Sequence, residues 1–319
     1  MQSILVADIG GTHCRLGLFD VGEGLLRLER CVWIPTETVQ DTGSLLRAME
    51  RELDFSPACA AALGIALAGP VDALHGKLTN AALRIDMTDA PLRHGIKHFC
   101  LINDFVAQAW ACLTPAGKSA RLVLGPSDRG GEENSTCIGV LGAGTGLGMA
   151  VLRRAGGQWI AGPSEGGHAA FPFVGHDENG FHEFLREKLQ RPFARCEDVL
   201  SGRGLALLHW HLSGERLNPR EVSSRALRME SVTLRWFSRF YARACRNWIL
   251  SSLCRDGLWI TGGIACGNPL CVTGPAFREE LHSGQEDGMV PLVPIRLMDD
   301  ENSGLWGAAQ ACDLLLREK

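Results

Sequence analysis

The apolar positions of the chain fall into short runs separated by glycine, and their spacing predicts an alternation of strands and helices. A run at 4–7 and an alternating one at 15–19 flank Gly10-Gly11-Thr12, which predicts a hairpin with a glycine turn, followed by a third strand at 26–34. Leu45, Leu46, Met49 and Leu53 recur at helical spacing and predict a helix over 41–53. A buried strand at 61–68 ends at Gly69-Pro70, and a strand at 99–102 leads into a helix over 104–112. The Gly-, Ser-, Asp- and Glu-rich stretch 125–135 predicts a loop. Beyond it, runs at 137–141 and 147–152 flank a second glycine turn. Val232, Trp236, Phe240, Ala244 and Trp248 recur every four residues and predict a long helix over 229–254, whose aromatic stripe is read as core packing rather than a cofactor box. A strand at 258–261 runs into Gly262-Gly263, a late strand is expected at 291–297, and a closing helix at 302–316, with Asp299 or Asp300 as its cap.

The two glycine hairpins are alike in architecture rather than in residues, and they point to two related halves. A length of 319 residues suits two domains. With 45% hydrophobic and 21% charged residues the chain is expected to fold rather than remain disordered. A net charge of −4 argues against a nucleic-acid partner held on a broad basic surface. It leaves room for small anions, because a local glycine loop binds phosphate without net positive charge. No apolar run approaches the roughly 20 residues that span a bilayer, so no membrane partner is expected. The start of the chain lacks a basic region and meets Asp8 too early for a signal peptide, so the expected compartment is the cytoplasm. There the 12 cysteines are expected to be reduced, scattered core thiols without a CxxC pair, with metal binding by Cys266 and Cys271 as the lesser reading.

Several segments carry candidate chemistry. In Asp8-Ile9-Gly10-Gly11-Thr12 the glycines let backbone N–H groups surround a phosphate, Thr12 adds a hydroxyl, and Asp8 can hold magnesium directly or through water. A plain β-turn explains a lone Gly-Gly equally well. Gly142-Ala143-Gly144-Thr145-Gly146-Leu147-Gly148 matches GxGxxG, but the run at 147–152 patterns as a strand, so a phosphate-clamping hairpin fits better than a dinucleotide fold. The GxxxxGK[ST] pattern is absent. Asp104, in Leu101-Ile102-Asn103-Asp104-Phe105, stands at the carboxyl end of a strand, where a carboxylate can accept the proton of an attacking hydroxyl. Capping of the next helix is the competing explanation. Glu165-Gly166-Gly167-His168 lets a carboxylate and an imidazole point to one place and bind neighbouring hydroxyls, and it lacks the helical geometry of a zinc HExxH site. Glu197, in Glu197-Asp198-Val199-Leu200-Ser201-Gly202, is an ordinary acid on its own. Ile260-Thr261-Gly262-Gly263 offers a flat backbone for an adenine ring, against the simpler reading of a helix start.

In this order, from Asp8 to about Gly307, these segments resemble the bacterial glucokinase family of the sugar kinase, actin and heat-shock ATPase superfamily. The resemblance implies an α/β, two-domain actin-like (ribonuclease H-like) sugar kinase fold with an interdomain cleft. It implies a small domain of residues 1–112 plus 300–319 and a large one of 113–299. It also implies ATP and Mg2+ as cofactors, glucose or a related hexose as substrate, and a homodimer. By position, Asp104 is implied as the catalytic base, and Asn103, Glu165, His168 and Glu197 as grips on the other hydroxyls. Gly10, Gly11 and Thr12 are implied as one phosphate hairpin, Gly144, Thr145 and Gly146 as the second, Gly262 and Gly263 as the adenosine contact, and Asp8 as the acid that organises magnesium through water.

The chain departs from the family pattern at His13, where Asn usually follows the Thr, and over 79–89. His13 is expected to alter affinity rather than abolish the reaction. The alternatives are a kinase for another hexose or amino sugar, a sugar-sensing protein without turnover, and a phosphatase or ATPase on the same fold.

Overall fold

Each half of the chain contains the glycine-turn hairpin its sequence pattern predicts, and the two hairpins lie in sheets of matching order apart from one added strand. The structure, a computed structural model, describes residues 2–22, 25–79, 82–126, 136–284 and 288–317. Residues 127–135 of the expected loop, and Asn80 and Ala81 of the departing segment, lie outside the described residues. The chain divides into two compact units, residues 1–119 with 300–319, and residues 120–299.

In the first unit the elements are β1 (Gln2–Ile9), β2 (His13–Gly22), β3 (Leu25–Pro35), α1 (Thr42–Leu53), β4 (Ala62–Leu67), β5 (His75–Lys77), β6 (Arg84–Asp86), α2 (Ala90–His94), β7 (Phe99–Asn103), α3 (Asp104–Ala111) and α4 (Pro115–Lys118). Five strands form one sheet in the order β3-β2-β1-β4-β7, antiparallel through β3, β2 and β1 and parallel through β1, β4 and β7. β1 is buried on both faces, and its alternation sorts two cores. Leu5, Ala7 and Ile9 meet Leu45, Leu46, Met49 and Leu53 of α1, whereas Ile4 and Val6 meet Leu305, Ala308, Ala309 and Cys312 of the chain's last helix. α1 starts where Asp41 accepts from the Ser44 N–H (2.7 Å) in a capping box. The expected domain division at 112/113 precedes α4, which here belongs with the first unit.

The second unit contains β8 (Arg121–Leu124), β9 (Cys137–Ala143), β10 (Leu147–Ala155), β11 (Gln158–Ser164), α5 (Gly175–Leu189), α6 (Cys196–Val199), α7 (Gly202–Ser213), α8 (Pro219–Ala226), α9 (Val232–Ser252), β12 (Gly257–Thr261), α10 (Gly263–Gly267), α11 (Leu270–Thr273), α12 (Pro275–His282) and β13 (Ile295–Leu297). The last helix, α13 (Ser303–Arg317), returns to the first unit. The second sheet runs β11-β10-β9-β12-β13-β8. Without β8 it repeats the first: three antiparallel strands, then two parallel ones. This duplicated ribonuclease H-like arrangement is the actin-like fold expected from the sequence.

One expectation is corrected. The late strand begins at Ile295, not 291, because Val290–Leu292 form a 3-10 turn and Pro291 has no N–H to give a ladder. The α9 stripe packs into the core as expected: Phe240 and Ala244 are buried, and Trp236 and Trp248 lie partly buried against the same cluster, while Val232 at the helix start is 42% exposed. The buried face is wider than the stripe, since Phe237, Tyr241, Cys245 and Ile249 beside it are fully buried.

Candidate functional site

In the first unit, the tight turn that joins β1 to β2 sets Asp8 directly opposite Arg15 in the ladder. Asp8 Oδ2 accepts from Arg15 Nη1 at 2.8 Å, and Asp8 is only 6% exposed. Burial pushes its carboxyl up, and the Arg15 charge opposes that. Arg15 in turn lies over the Trp33 ring, its Cζ 4.3 Å from the centroid. A glycine is required where α13 meets this carboxylate, since a Cβ on Gly304 would collide with Asp8 Oδ2. The turn itself is tied down by Thr36, whose Oγ1 donates to Gly10 O (2.7 Å) and whose N–H donates to Thr12 O (3.0 Å). Gly11 and Thr12 are exposed, and a Cβ on Gly11 would meet nothing within 4 Å. His13 heads β2 with its ring 5.9 Å from that of Trp33.

β7 ends at Asn103, and α3 begins at Asp104. The cap of α3 is Asn103, whose Oδ1 accepts from the Phe105 N–H at 2.9 Å, while its Nδ2 donates to Gly69 O at 3.2 Å. The capping explanation for Asp104 is thereby corrected: the preceding residue does that work. Asp104 occupies the first helical position, half-buried, and desolvation followed by the Asp8 charge pushes its carboxyl from 3.8 up to about 7. A carboxylate tuned to neutral pH is what general-base chemistry asks for.

In the second unit, Gly144, Thr145 and Gly146 form the turn between β9 and β10, with Gly144 N donating to Gly146 O at 2.8 Å. Gly144 O accepts from Gly202 N (2.9 Å), and the buried Tyr241 hydroxyl accepts from Ala143 N (3.2 Å). Gly262 lies against the same turn in left-handed backbone (φ 89°), and a Cβ there would stand 2.6 Å from Ala143 O. Gly262 and Gly263 begin α10, so the helix-start reading of this Gly-Gly holds.

Glu165, His168 and Glu197 meet. His168 Nδ1 is 3.1 Å from Glu165 Oε2 and His168 Nε2 is 3.4 Å from Glu197 Oε1. Tight backbone makes this possible: a Cβ on Gly167 would collide with Leu147 O. The Cys196 N–H donates to Ala169 O (2.8 Å), which staples the Glu197 turn to the His168 turn. Glu197 also approaches the glycine turn, since a Cβ on Gly146 would lie 3.2 Å from its Oε2. The constellation offers carboxylate acceptors and an imidazole side by side, the donor and acceptor set that vicinal hydroxyls need.

Sequence reading alone missed three supports of these residues. Arg15 was legible, since opposite charges equidistant from a tight turn pair across it. Arg195, whose Nη1 is 3.3 Å from Glu197 Oε1, and Gly304 carried no local signal.

Residues 5–314 match the protein-family model described as Glucokinase. The chain is similar to the glucokinase of Pectobacterium atrosepticum, 31% identical over 96% of this chain and 95% of that one. It is 30% identical to the glucokinase of Xanthomonas euvesicatoria, over 97% and 94% of the two chains. Among solved structures it resembles the crystal structure of a glucokinase from an Antarctic psychrotroph, with a TM-score of 0.82 at 26% identity over 98% and 99% of the two chains. Among the described residues no helix is long and apolar enough to cross a membrane.

Proposed function

The chain belongs to the glucokinase family, and we propose that it transfers the γ-phosphoryl group of ATP to the 6-hydroxyl of glucose, giving glucose 6-phosphate and ADP. The observation that carries this reading is Asp104, a carboxylate at the end of β7 with its pKa pushed up to about 7. It accepts the proton of the 6-hydroxyl as that oxygen attacks phosphorus. Asn103, Glu165, His168 and Glu197 take the remaining hydroxyls. An analogue that leaves one of these groups unpaired loses about 1–3 kcal/mol, which is the source of selectivity.

The turns at Gly10, Gly11 and Thr12 and at Gly144, Thr145 and Gly146 cradle the phosphates with backbone N–H groups other than those of Gly10 and Gly144, which donate to His13 O (3.0 Å) and Gly146 O (2.8 Å), and the glycine backbone at Gly262 and Gly263, where α10 starts, carries the adenosine. Asp8 fits magnesium as a single hard oxygen donor. Magnesium takes one or two carboxylates and keeps several waters beside substrate phosphates, which suits a single acid there. Asp8 would hold that ion through water, and the ion would offset charge on the phosphate oxygens. On this reading the enzyme works in the cytoplasm as a homodimer.

The test is ADP release with ATP, magnesium and a panel of hexoses. Saturable release with glucose, and little with galactose or fructose, is the expected result. Release with another sugar alone keeps the chemistry and changes the substrate. Folded protein that binds glucose without releasing ADP is a sensor, and the kinase reading then fails.

A further inference from the structure

Glu197 sits on a helix of one turn, α6, which has little stiffness of its own. What fixes α6 is its neighbour Asp198. The Asp198 carboxylate is 6% exposed, and its Oδ2 accepts from the Arg195 N–H at 2.9 Å. Both of its oxygens also accept from Arg191 Nη1, each at 2.8 Å. Arg191 comes from outside the hydroxyl-binding group: it lies just past the end of α5, where Gln190 adopts left-handed backbone (φ 53°) and its side chain donates to Glu187 O. The chain reverses there, and Arg191 reaches back to α6.

We propose that Arg191 is a positioning residue for the hexose, acting through Asp198 on Glu197. Glu197 Oε1 is shared by His168 Nε2 (3.4 Å) and Arg195 Nη1 (3.3 Å). Without Arg191 the Asp198 carboxylate is buried with only a backbone N–H, and a nearby cation is drawn to it. The nearest candidate on the same turn is the Arg195 guanidinium, which is the group that holds Glu197. Either Arg195 leaves Glu197 or α6 shifts to hydrate Asp198, and in both cases the carboxylate that faces His168 moves. Among the hydrogen bonds and ion pairs of the described residues Arg191 pairs with Asp198 and not with Glu165, His168 or Glu197, so its effect falls on hexose affinity rather than on proton transfer at Asp104.

This inference rests on the kinase reading, and a double-mutant cycle separates the two. Arg191→Met, Glu197→Gln and the double variant are assayed for KM of glucose, kcat and KM of ATP, with glucose dissociation constants from calorimetry and melting temperatures alongside. The expected result for Arg191→Met is a rise of about tenfold in KM and dissociation constant for glucose, with kcat and KM of ATP changed by less than about threefold. In the Glu197→Gln background the same change adds almost nothing, because the residue through which it acts is already disabled. Arg191→Lys, which keeps a donor for Asp198, recovers most of the affinity. Asp198→Asn keeps an acceptor for the Arg195 N–H and removes the buried charge that draws Arg195 away, so combining it with Arg191→Met recovers most of the glucose affinity that Arg191→Met loses. A glucose penalty that persists in full in the Glu197→Gln background, or one spread equally over glucose, ATP and kcat, overturns the inference while leaving the kinase reading intact. A wild-type enzyme that turns over no hexose overturns the kinase reading instead, and the calorimetric cycle still decides whether Arg191 governs glucose binding.

Discussion

Asp8 and Arg15 face each other across the first hairpin, with Nη1 2.8 Å from Oδ2, and the arginine is the only cation that touches this nearly buried carboxylate among the ion pairs of the described residues. The pair is therefore structural before it is chemical. Arg15→Met leaves the carboxylate buried and unpaired and lowers stability by about 3 kcal/mol, read as a drop in the urea midpoint with an unchanged m-value. A midpoint within experimental error of wild type would show that Asp8 finds another partner.

Asp104 gives the reaction its pH dependence. It must be ionised to accept a proton, so kcat/KM rises with pH through a limb centred near its pKa of about 7 and levels off above it. Asp104→Asn lowers kcat by about 10²–10⁴-fold and abolishes that limb. A variant with near-normal turnover and intact folding removes Asp104 from the role of base.

The same carboxyl makes a second prediction, on stability. Its folded pKa stands above its unfolded value, so between about pH 4 and 7 the folded state holds the proton more tightly, and stability is lost as pH rises through that window. Asp104→Asn removes this penalty. The variant is expected to melt higher than wild type at pH 8 and at the same temperature at pH 4. Equal melting at both pH values would mean the group is not perturbed.

Gly262 has both positive φ and a carbonyl 2.6 Å from where a Cβ would be. Gly262→Ala has to shift the backbone beside the second glycine turn. It is expected to raise KM of ATP by about tenfold or more with little change in KM of glucose, and to cost about 1–3 kcal/mol of stability. Equal effects on both substrates would place the disturbance elsewhere.

Tyr241, the single tyrosine of the chain, is fully buried on α9 and accepts from the Ala143 N–H that precedes the second glycine turn. Tyr241→Phe keeps the ring packing and orphans that N–H, at a cost of about 1–3 kcal/mol. Hydrogen exchange at Ala143 and Gly144 checks it: both amides are expected to exchange faster than in wild type, and protection that stays unchanged rules the hydroxyl out as the support of the turn.

The order of strands was legible wherever two apolar runs flanked a glycine turn, because period-2 burial and turn chemistry are local properties, as at 4–19 and 137–152. The candidate residues were legible for the same reason: Asn103-Asp104 ends a strand and Glu165 to His168 is a four-residue turn. What stayed hidden depends on distant chain. β11 and α5 mix polar and apolar residues without a clean period, and α5 owes its place to an ion network in which the buried Arg243 of α9 binds Glu178 of α5 and Glu280 of α12. The α9 stripe was legible but marked only half of a face, whose other half, Phe237, Tyr241, Cys245 and Ile249, runs beside it at the same spacing. The Asp198–Arg191 pair crosses from one helix end to the next and leaves no mark in either local sequence.

The return of α13 to the first unit sets an order of events during synthesis. β1 and β4 present Ile4, Val6, Ala62 and Ala66 to a helix that does not yet exist when those strands leave the ribosome. At about 5–20 residues per second, the delay between making β7 and making α13 is on the order of 10–40 s. Throughout that interval one apolar face of the first sheet is bare, while the whole of residues 120–299 emerges and is free to fold. The part of the protein that is translated second is thus the first that can be finished, and the nascent chain carries an exposed greasy surface that a holdase chaperone is suited to shield until its last helix arrives.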